Sequence, residues 1–224
     1  MAKVLSDPGA EQKRVRELRE RRRKVRKERL VNNYQVGSYW EDRMDLMYYH
    51  YVDYIMRTVA RDAQSMIDVG TANCPYQEWF DWIPERVSFD QAPPYSSDNV
   101  TGIQGDFFTY DFGRSFDVAT CLQVLEHVPD AKAFTQRLLE ISDMTIISVP
   151  YNWPARMMAE HIHDPVTYEK LTDWAGREAN YHVIVEEPFR ARKRMIAVYD
   201  ADPDVGWGKK DFQQRIKRNR MMAG

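Results

Sequence analysis

Seven short apolar or β-branched runs punctuate residues 65–200, and their spacing restricts the possible folds more than any other feature of the chain. They are SMIDVG (65–70), RVSFD (86–90), VTGI (100–103), FDVATCL (116–122), MTIISVP (144–150), YHVIVEE (181–187) and RMIAVYD (194–200). Each is bounded by turn residues, which predicts seven strands. Helical patterns fall between several of them. Pro75 to Ile83 forms a short one opened by Asn73 or Cys74, and Pro129 to Ile141 puts Phe134, Leu138 and Ile141 on one face. A third opens at Asp164-Pro165, a cap followed by a first-turn proline, runs through Tyr168, Leu171 and Trp174, and stops at Gly176. Strand alternating with helix implies an α/β fold with a mostly parallel sheet covered on both faces. Only PFRARK (188–193) separates the last two runs, too short for a parallel crossover, so the last strand is expected to be antiparallel.

Ahead of the strands, Ser38 and Glu41 form a capping box. Trp40, Met44, Met47, Tyr48, Tyr51 and Ile55 then recur at helical spacing, which predicts a buried N-terminal helix. Tyr48, Tyr49 and His50 reach a pocket if that helix lies across one. From Glu11 to Leu30 the apolar residues are only Val15, Leu18, Val25 and Leu30, too thin a stripe to bury. Glu17 with Arg21 and Glu20 with Lys24 favour a solvated helix there. A chain of 224 residues accommodates one α/β domain with appendages. The expected division is a basic arm or helix over 1–33, a capping helix over 34–63, the sheet domain over 64–200 and a basic tail over 201–224.

Charge is segregated along this order. The net charge of −2 combines +7 over residues 11–30, +5 over 209–224 and −14 over 31–208. Basic ends on an acidic body suit nucleic acid, an anionic surface, or a neighbouring copy of the chain, so a homo-oligomer joined through the N-terminal segment is one expectation. Cys74 and Cys121 are too few for a disulfide framework or a four-thiolate zinc site. No apolar stretch reaches the roughly 18 residues of a membrane span, and MAKVLSDPGAEQKR lacks the apolar core of a secretory signal, so the expected address is cytoplasmic.

In a doubly wound sheet the ligand lies outside the carboxyl ends of the strands, near the point where strand order reverses. The first run ends in Asp68-Val69-Gly70-Thr71-Ala72, and the second ends in Asp90, twenty residues after Gly70. That separation suits a nucleoside, because an acidic residue there accepts from both ribose hydroxyls and Gly70 lets backbone approach the ligand. Asp68, inside an apolar strand, would repel the phosphates of a dinucleotide and attract a ligand carrying ammonium and sulfonium groups. Its bland reading is a brace for the turn.

The series IDVGTANCPY, VSFDQ, GDFF, FDVATCLQVLEHVPD and IISVPYN resembles the class I S-adenosylmethionine-dependent methyltransferases over about residues 64–200, in their small-molecule and surface-glycan branch. Ala72 and Cys74 stand where that family commonly has further glycines. The resemblance implies a Rossmann-like methyltransferase domain that binds S-adenosylmethionine and releases S-adenosylhomocysteine. It implies that Asp68 and the Gly70, Thr71, Ala72 turn face the methionine part, and that Asp90, with Gln91 beside it, holds the ribose. Asp106 accepts from the adenine amino group, Phe107 supplies backbone and packing, and Gln123 lines the cofactor near the sulfonium. Glu126 and His127 are read as capping and bracing the next helix, not as catalytic.

Candidate bases follow the fifth run, in Tyr151-Asn152-Trp153 and in Glu160-His161-Ile162-His163-Asp164. If that piece is extended, His161 and His163 point the same way. With Asp164 they form either a base with its orienting carboxylate or ligands for a divalent metal holding acceptor hydroxyls. The plain alternative is a helix cap and two surface histidines. Ala92-Pro-Pro-Tyr95 is similar to the N-P-P-Y of amino-group methyltransferases acting on nucleic acids, but it follows the wrong strand and reads as a turn. The leading expectation is methyl transfer to an O or N atom of a small molecule or a sugar, as in polysaccharide biosynthesis. RNA or protein methylation through the basic arms is the runner-up, followed by a non-catalytic S-adenosylmethionine-binding module. A nicotinamide-dependent oxidoreductase is least supported, since no GxGxxG follows the first strand.

Overall fold

The computed structural model describes residues 38–222. The basic segment 11–30, and with it the expected N-terminal assembly role, lies outside the described residues. The chain divides between Asp42 and Arg43 into two units. In the first, the described element is a four-residue helix, α1 (Ser38–Glu41), at the expected capping box. The second contains helix α2 (Met47–Val59) and everything after it.

The single helix expected from Ser38 onward is therefore in two pieces. Met44 and Tyr51, assigned to its buried stripe, are exposed, and the buried face is made by Tyr48, Tyr49, Val52, Ile55, Met56 and Val59. The cause is a cap supplied from far along the chain. Leu46 precedes α2 and offers no side-chain cap, while Glu187 Oε2 accepts the N–H of Met47 at 2.8 Å and Oε1 that of Tyr48 at 3.4 Å. A carboxylate satisfies two orphan donors and complements the helix dipole, which fixes where α2 begins.

All seven expected strands form. They are β1 (Ser65–Val69), β2 (Glu85–Asp90), β3 (Thr101–Gln104), β4 (Phe116–Leu122), β5 (Ser142–Pro150), β6 (Tyr181–Glu187) and β7 (Arg192–Asp200). They join in one sheet of order β3-β2-β1-β4-β5-β7-β6. β7 runs antiparallel to both of its neighbours, and the pairs from β3 through to β5 are parallel. β4 and β5 are almost continuously buried and sit centrally, as strands covered on both faces must. The short β3, TGIQ, lies at an edge with its ends exposed. Strand order reverses between β1 and β4.

Helices α3 (Ala131–Glu140) and α4 (Tyr168–Ala175) cover one side through Phe134, Leu138, Leu171 and Trp174, which join Ile67, Phe89, Cys121 and Val149 in the main core. Asp130 caps α3, its carboxylate accepting the Ala133 N–H at 3.0 Å. The stretch Pro75–Trp79 is a 3-10 turn rather than an α-helix, and a second 3-10 turn, Leu125–His127, follows β4. The start of α4 differs from the expectation. The helix begins at Tyr168, so Thr167 caps it, accepting the Lys170 N–H at 3.2 Å, while Asp164 Oδ2 lies 2.7 Å from His161 Nδ1. Gly176 ends it at φ +74°, as expected. The C-terminal basic segment forms helix α5 (Lys209–Met222), which packs against α2. Trp207 and Phe212 both lie against Tyr181 of β6, with ring centroids 6.3 and 5.5 Å away. No helix among the described residues is long and apolar enough to cross a membrane.

Candidate functional site

Parallel pairing sets Asp68 directly between Ser88 of β2 and Thr120 of β4, on one face of the sheet. Its side chain is 2% exposed. Oδ1 accepts from the Thr120 hydroxyl at 2.6 Å and from the Tyr76 hydroxyl, which the 3-10 turn after β1 brings back over the strand. Burial pushes the Asp68 carboxyl from the ordinary 3.8 up to about 6; the two hydroxyl hydrogen bonds oppose that rise, and the charge of Asp90 adds to it. Burial and the neighbouring Asp68 raise the Tyr76 phenol well above its ordinary value, so it stays a donor.

The turn after β1 is shaped by conformations that few residues adopt. Gly70 has φ +83° and Ala72 φ +49°. A Cβ on Gly70 would lie 2.4 Å from Val124 Cγ2, so the turn and the segment after β4 pack with no room for a side chain. Gly70 N–H donates to Phe89 O at 2.8 Å, and buried Thr71 follows it. Ala72 is held by Asp90: Oδ2 accepts the Ala72 N–H at 2.8 Å, and Oδ1 accepts the Ala92 N–H at 2.9 Å. Each oxygen keeps lone-pair capacity for a further donor. Cys74, which with Ala72 stands where the resemblance leads one to expect further glycines, is buried and accepts the Tyr49 hydroxyl at 4.0 Å.

The remaining expected cofactor residues surround this turn on the same edge of the sheet. Gln91 is exposed, and its carbonyl accepts from Gln104 Nε2 at 3.0 Å. Asp106 is exposed after β3, with Oδ1 accepting the Phe108 N–H at 3.0 Å. Phe107 is in the core, its ring 4.4 Å from that of Phe134. Gln123 lies across the switch point at φ +59°; its Nε2 donates to Ser148 Oγ at 3.1 Å and its Oε1 accepts from Arg194 Nε at 3.0 Å.

Arg194 lies on β7 opposite Pro150. Its Nη1 donates to Glu187 Oε1 at 2.9 Å, and its guanidinium lies 4.7 Å from the ring of Tyr48 and 5.5 Å from that of Trp153. The Trp153 ring in turn stacks on His161 at 5.6 Å. His161 Nδ1 is 2.7 Å from Asp164 Oδ2, and both side chains are almost fully buried. The piece 160–164 is bent, not extended, so His163 does not accompany His161. His163 Nε2 lies 2.7 Å from Val128 O, and its ring packs on Trp174 at 5.1 Å.

Two residues read from sequence as braces stand inside this cluster. Glu126 is 1% exposed, its Oε2 has no hydrogen-bond partner, and Oε1 is 3.9 Å from His127 Nε2. Burial pushes the Glu126 carboxyl up to about 8, with the negative charge of Asp164 adding to the rise. The ring of His127 meets that of His161 edge-on at 4.8 Å. The His127 side chain is 42% exposed, and desolvation of its ring together with His161 lowers its proton affinity. The helix-cap role belongs to Asp130 instead. A glutamate inside the apolar run LQVLEHV was the signal for Glu126; nothing in the sequence singled out Arg194, Tyr76 or Thr120.

No protein-family model and no curated protein matches the sequence. Solved structures are similar in fold. The 1,6-didemethyltoxoflavin-N1-methyltransferase of Burkholderia thailandensis, with 1,6-didemethyltoxoflavin and S-adenosylhomocysteine bound, superposes with a TM-score of 0.59 at 14% identity, over 90% of this chain and 94% of that one. The N-methyltransferase NodS of Bradyrhizobium japonicum WM9, in complex with S-adenosyl-L-homocysteine, gives 0.55 at 9% identity over 67% and 85%. CalS10 of Micromonospora echinaspora, an amino pentose methyltransferase with S-adenosylmethionine bound, gives 0.51 at 15% identity over 74% and 95%. The chain has the fold of the class I S-adenosylmethionine-dependent methyltransferases.

Proposed function

We propose that this chain is an S-adenosylmethionine-dependent methyltransferase acting on an oxygen or nitrogen of a small molecule or a sugar, such as one bound for a polysaccharide. The observation that carries the reading is Asp68: a desolvated carboxylate beneath the glycine turn opposes phosphates and is relieved by a cationic ligand. The ligand is then held by the Gly70–Ala72 turn, by Asp90 through its remaining lone pairs toward the ribose, with Gln91 beside it, by Asp106 and the backbone of Phe107 toward the adenine, and by Gln123 near the sulfur. When bound, it supplies a methyl carbon already activated by positive sulfur.

The chain's own part is to align the acceptor, exclude water and deal with the acceptor's proton. Tyr48, Trp153 and Arg194 pack together beside His161, which suits a compact acceptor next to the cluster of His161, Asp164, Glu126 and the exposed His127 that promotes loss of its proton. His163 is held apart from it by Val128 and Trp174. Neighbours in fold are a 1,6-didemethyltoxoflavin-N1-methyltransferase and an amino pentose methyltransferase, which supports acceptors of this size. A large anionic substrate is favoured less, because Trp207 and Phe212, the aromatics of the basic C-terminal segment, are packed on Tyr181 and are not free to stack on bases. Titration calorimetry of Asp90→Ala tests the reading. Loss of both ribose contacts is expected to weaken S-adenosylmethionine by about 10- to 100-fold. Unchanged affinity, or no binding by the parent chain, refutes it.

A further inference from the structure

We propose that Glu126, His127 and His161 form a binding site for a divalent first-row transition-metal ion, with Zn²⁺ or Mn²⁺ as the chemical class that fits. The residues come from separate elements, the 3-10 turn after β4 and the loop after β5, and the loop is pinned to the turn where Ile162 N–H donates to Glu126 O at 2.9 Å. One ligand atom from each of the three lies within 4.8 Å of the others.

Both imidazoles are set up to present a lone pair. His127 Nδ1 lies 3.1 Å from Glu160 O and His161 Nδ1 lies 2.7 Å from Asp164 Oδ2. A carbonyl and a carboxylate only accept, so each Nδ1 carries a proton, and in the neutral ring that leaves the free pair on Nε2. Metal-binding histidines are oriented by the same arrangement, with the outer nitrogen donating to a carboxylate or a backbone carbonyl. Asp164 and the Glu160 carbonyl are thus positioning groups, not ligands.

Glu126 completes the set. Its carboxylate is buried with one oxygen unpartnered, and its other oxygen stands 3.9 Å from His127 Nε2, too far for a hydrogen bond. Two atoms each about 2.1 Å from one ion lie between about 3.4 Å apart at the tetrahedral angle and about 4.2 Å apart in line. The Glu126–His127 gap falls in that range, and the set as a whole, with separations up to 4.8 Å, has to close by about 0.6 Å to share one ion. Asp164 Oδ1 is likewise buried without a partner, which leaves two carboxylates to balance a dication. Two neutral imidazoles and one carboxylate suit Zn²⁺, Mn²⁺ or Fe²⁺, whereas Mg²⁺ and Ca²⁺ prefer oxygen throughout. Three protein ligands leave open positions, as in catalytic metal sites. On the methyltransferase reading, on which this role rests, an acceptor hydroxyl occupies an open position beside Trp153, its pKa falls, and its proton passes to solvent.

The test uses the full chain, stripped with a chelator and then titrated with Zn²⁺ by calorimetry and with Co²⁺ by visible absorption. One ion per chain is expected, with ligand-field bands of nitrogen and oxygen coordination. Glu126→Gln and His161→Ala are each expected to weaken binding by about 100-fold or more, and Asp164→Asn by about 10- to 100-fold. A stripped parent chain that takes up less than one ion overturns the proposal whatever the variants do, and so does an ion that none of the variants weakens. S-adenosylmethionine affinity is measured on the same stripped protein. If it persists while metal binding fails, only the metal site falls. If metal binds and the cofactor does not, the site stands and its role in methyl transfer falls.

Discussion

Replacing Asp68 with asparagine separates what the carboxylate does for the fold from what it does for a ligand. Asp68 is buried among Tyr76, Thr120 and Ser88, and its pKa is raised from 3.8 to about 6. A raised carboxyl favours the native state while protonated and weighs against it once ionised. The contribution is therefore intact below about pH 4 and is lost as pH rises through about 6. The shift corresponds to about 3 kcal/mol at about pH 8, and roughly half of that has developed by about pH 5. Asparagine keeps a neutral oxygen for the Tyr76 and Thr120 hydroxyls and never ionises. The variant is expected to be more stable than the parent by up to about 3 kcal/mol at about pH 8, which for a domain of this size is roughly 6–12 °C in Tm. The two should converge toward about pH 4. Urea titrations of both proteins across that range read the difference directly. S-adenosylmethionine affinity at about pH 8 is expected to fall in the same variant. A simple turn brace predicts the reverse for stability, and an asparagine variant that is less stable at about pH 8, or a difference that is flat with pH, refutes the argument.

Gly70→Ala places a Cβ 2.4 Å from Val124 Cγ2 at a φ of +83°, so it is expected to lower stability by about 1–3 kcal/mol in urea titration and to weaken cofactor binding with it; a variant of parental stability would show that the turn can move. His163→Ala is expected to lower Tm, because it leaves Val128 O without its donor, while methyl transfer under saturating cofactor stays within about twofold of the parent. Loss of turnover with parental Tm would return His163 to the acceptor site.

The seven strands were legible because each is a compact apolar or β-branched run with turn residues on both sides, and the six-residue link fixed the direction of β7. Helix ends were less so. Asp164-Pro165 has the form of a helix start, but Asp164 turns one oxygen to His161 and the helix begins three residues later, capped by Thr167. The start of α2 is set by Glu187, a partner that no local pattern can reveal. In the site, Asp68, Gly70 and Asp90 could be located because their places follow from strand ends. His161 with Asp164 was visible as neighbours in sequence. Their meeting with Glu126 and His127 was not, since it depends on a loop folding back to bond Ile162 N–H to Glu126 O. Alternation likewise misled for His163, because a period of two holds only while backbone is extended.

The distant cap on α2 has a consequence for how the chain is made. Met47 and its capping carboxylate are 140 residues apart. A ribosome adding about 5–20 residues per second needs roughly 7–28 s to cover that distance. Throughout that interval the nascent α2 carries Val52, Ile55 and Met56 with neither Glu187 at its amino end nor β6 and β7 to pack on. Helix propensity alone does not hold a 13-residue segment in water. Contacts of Tyr49 with Cys74, Tyr76 and Trp79 can form early, but the first helix of the sheet unit to leave the ribosome gains its amino-terminal cap and its packing on β6 and β7 only when that hairpin emerges.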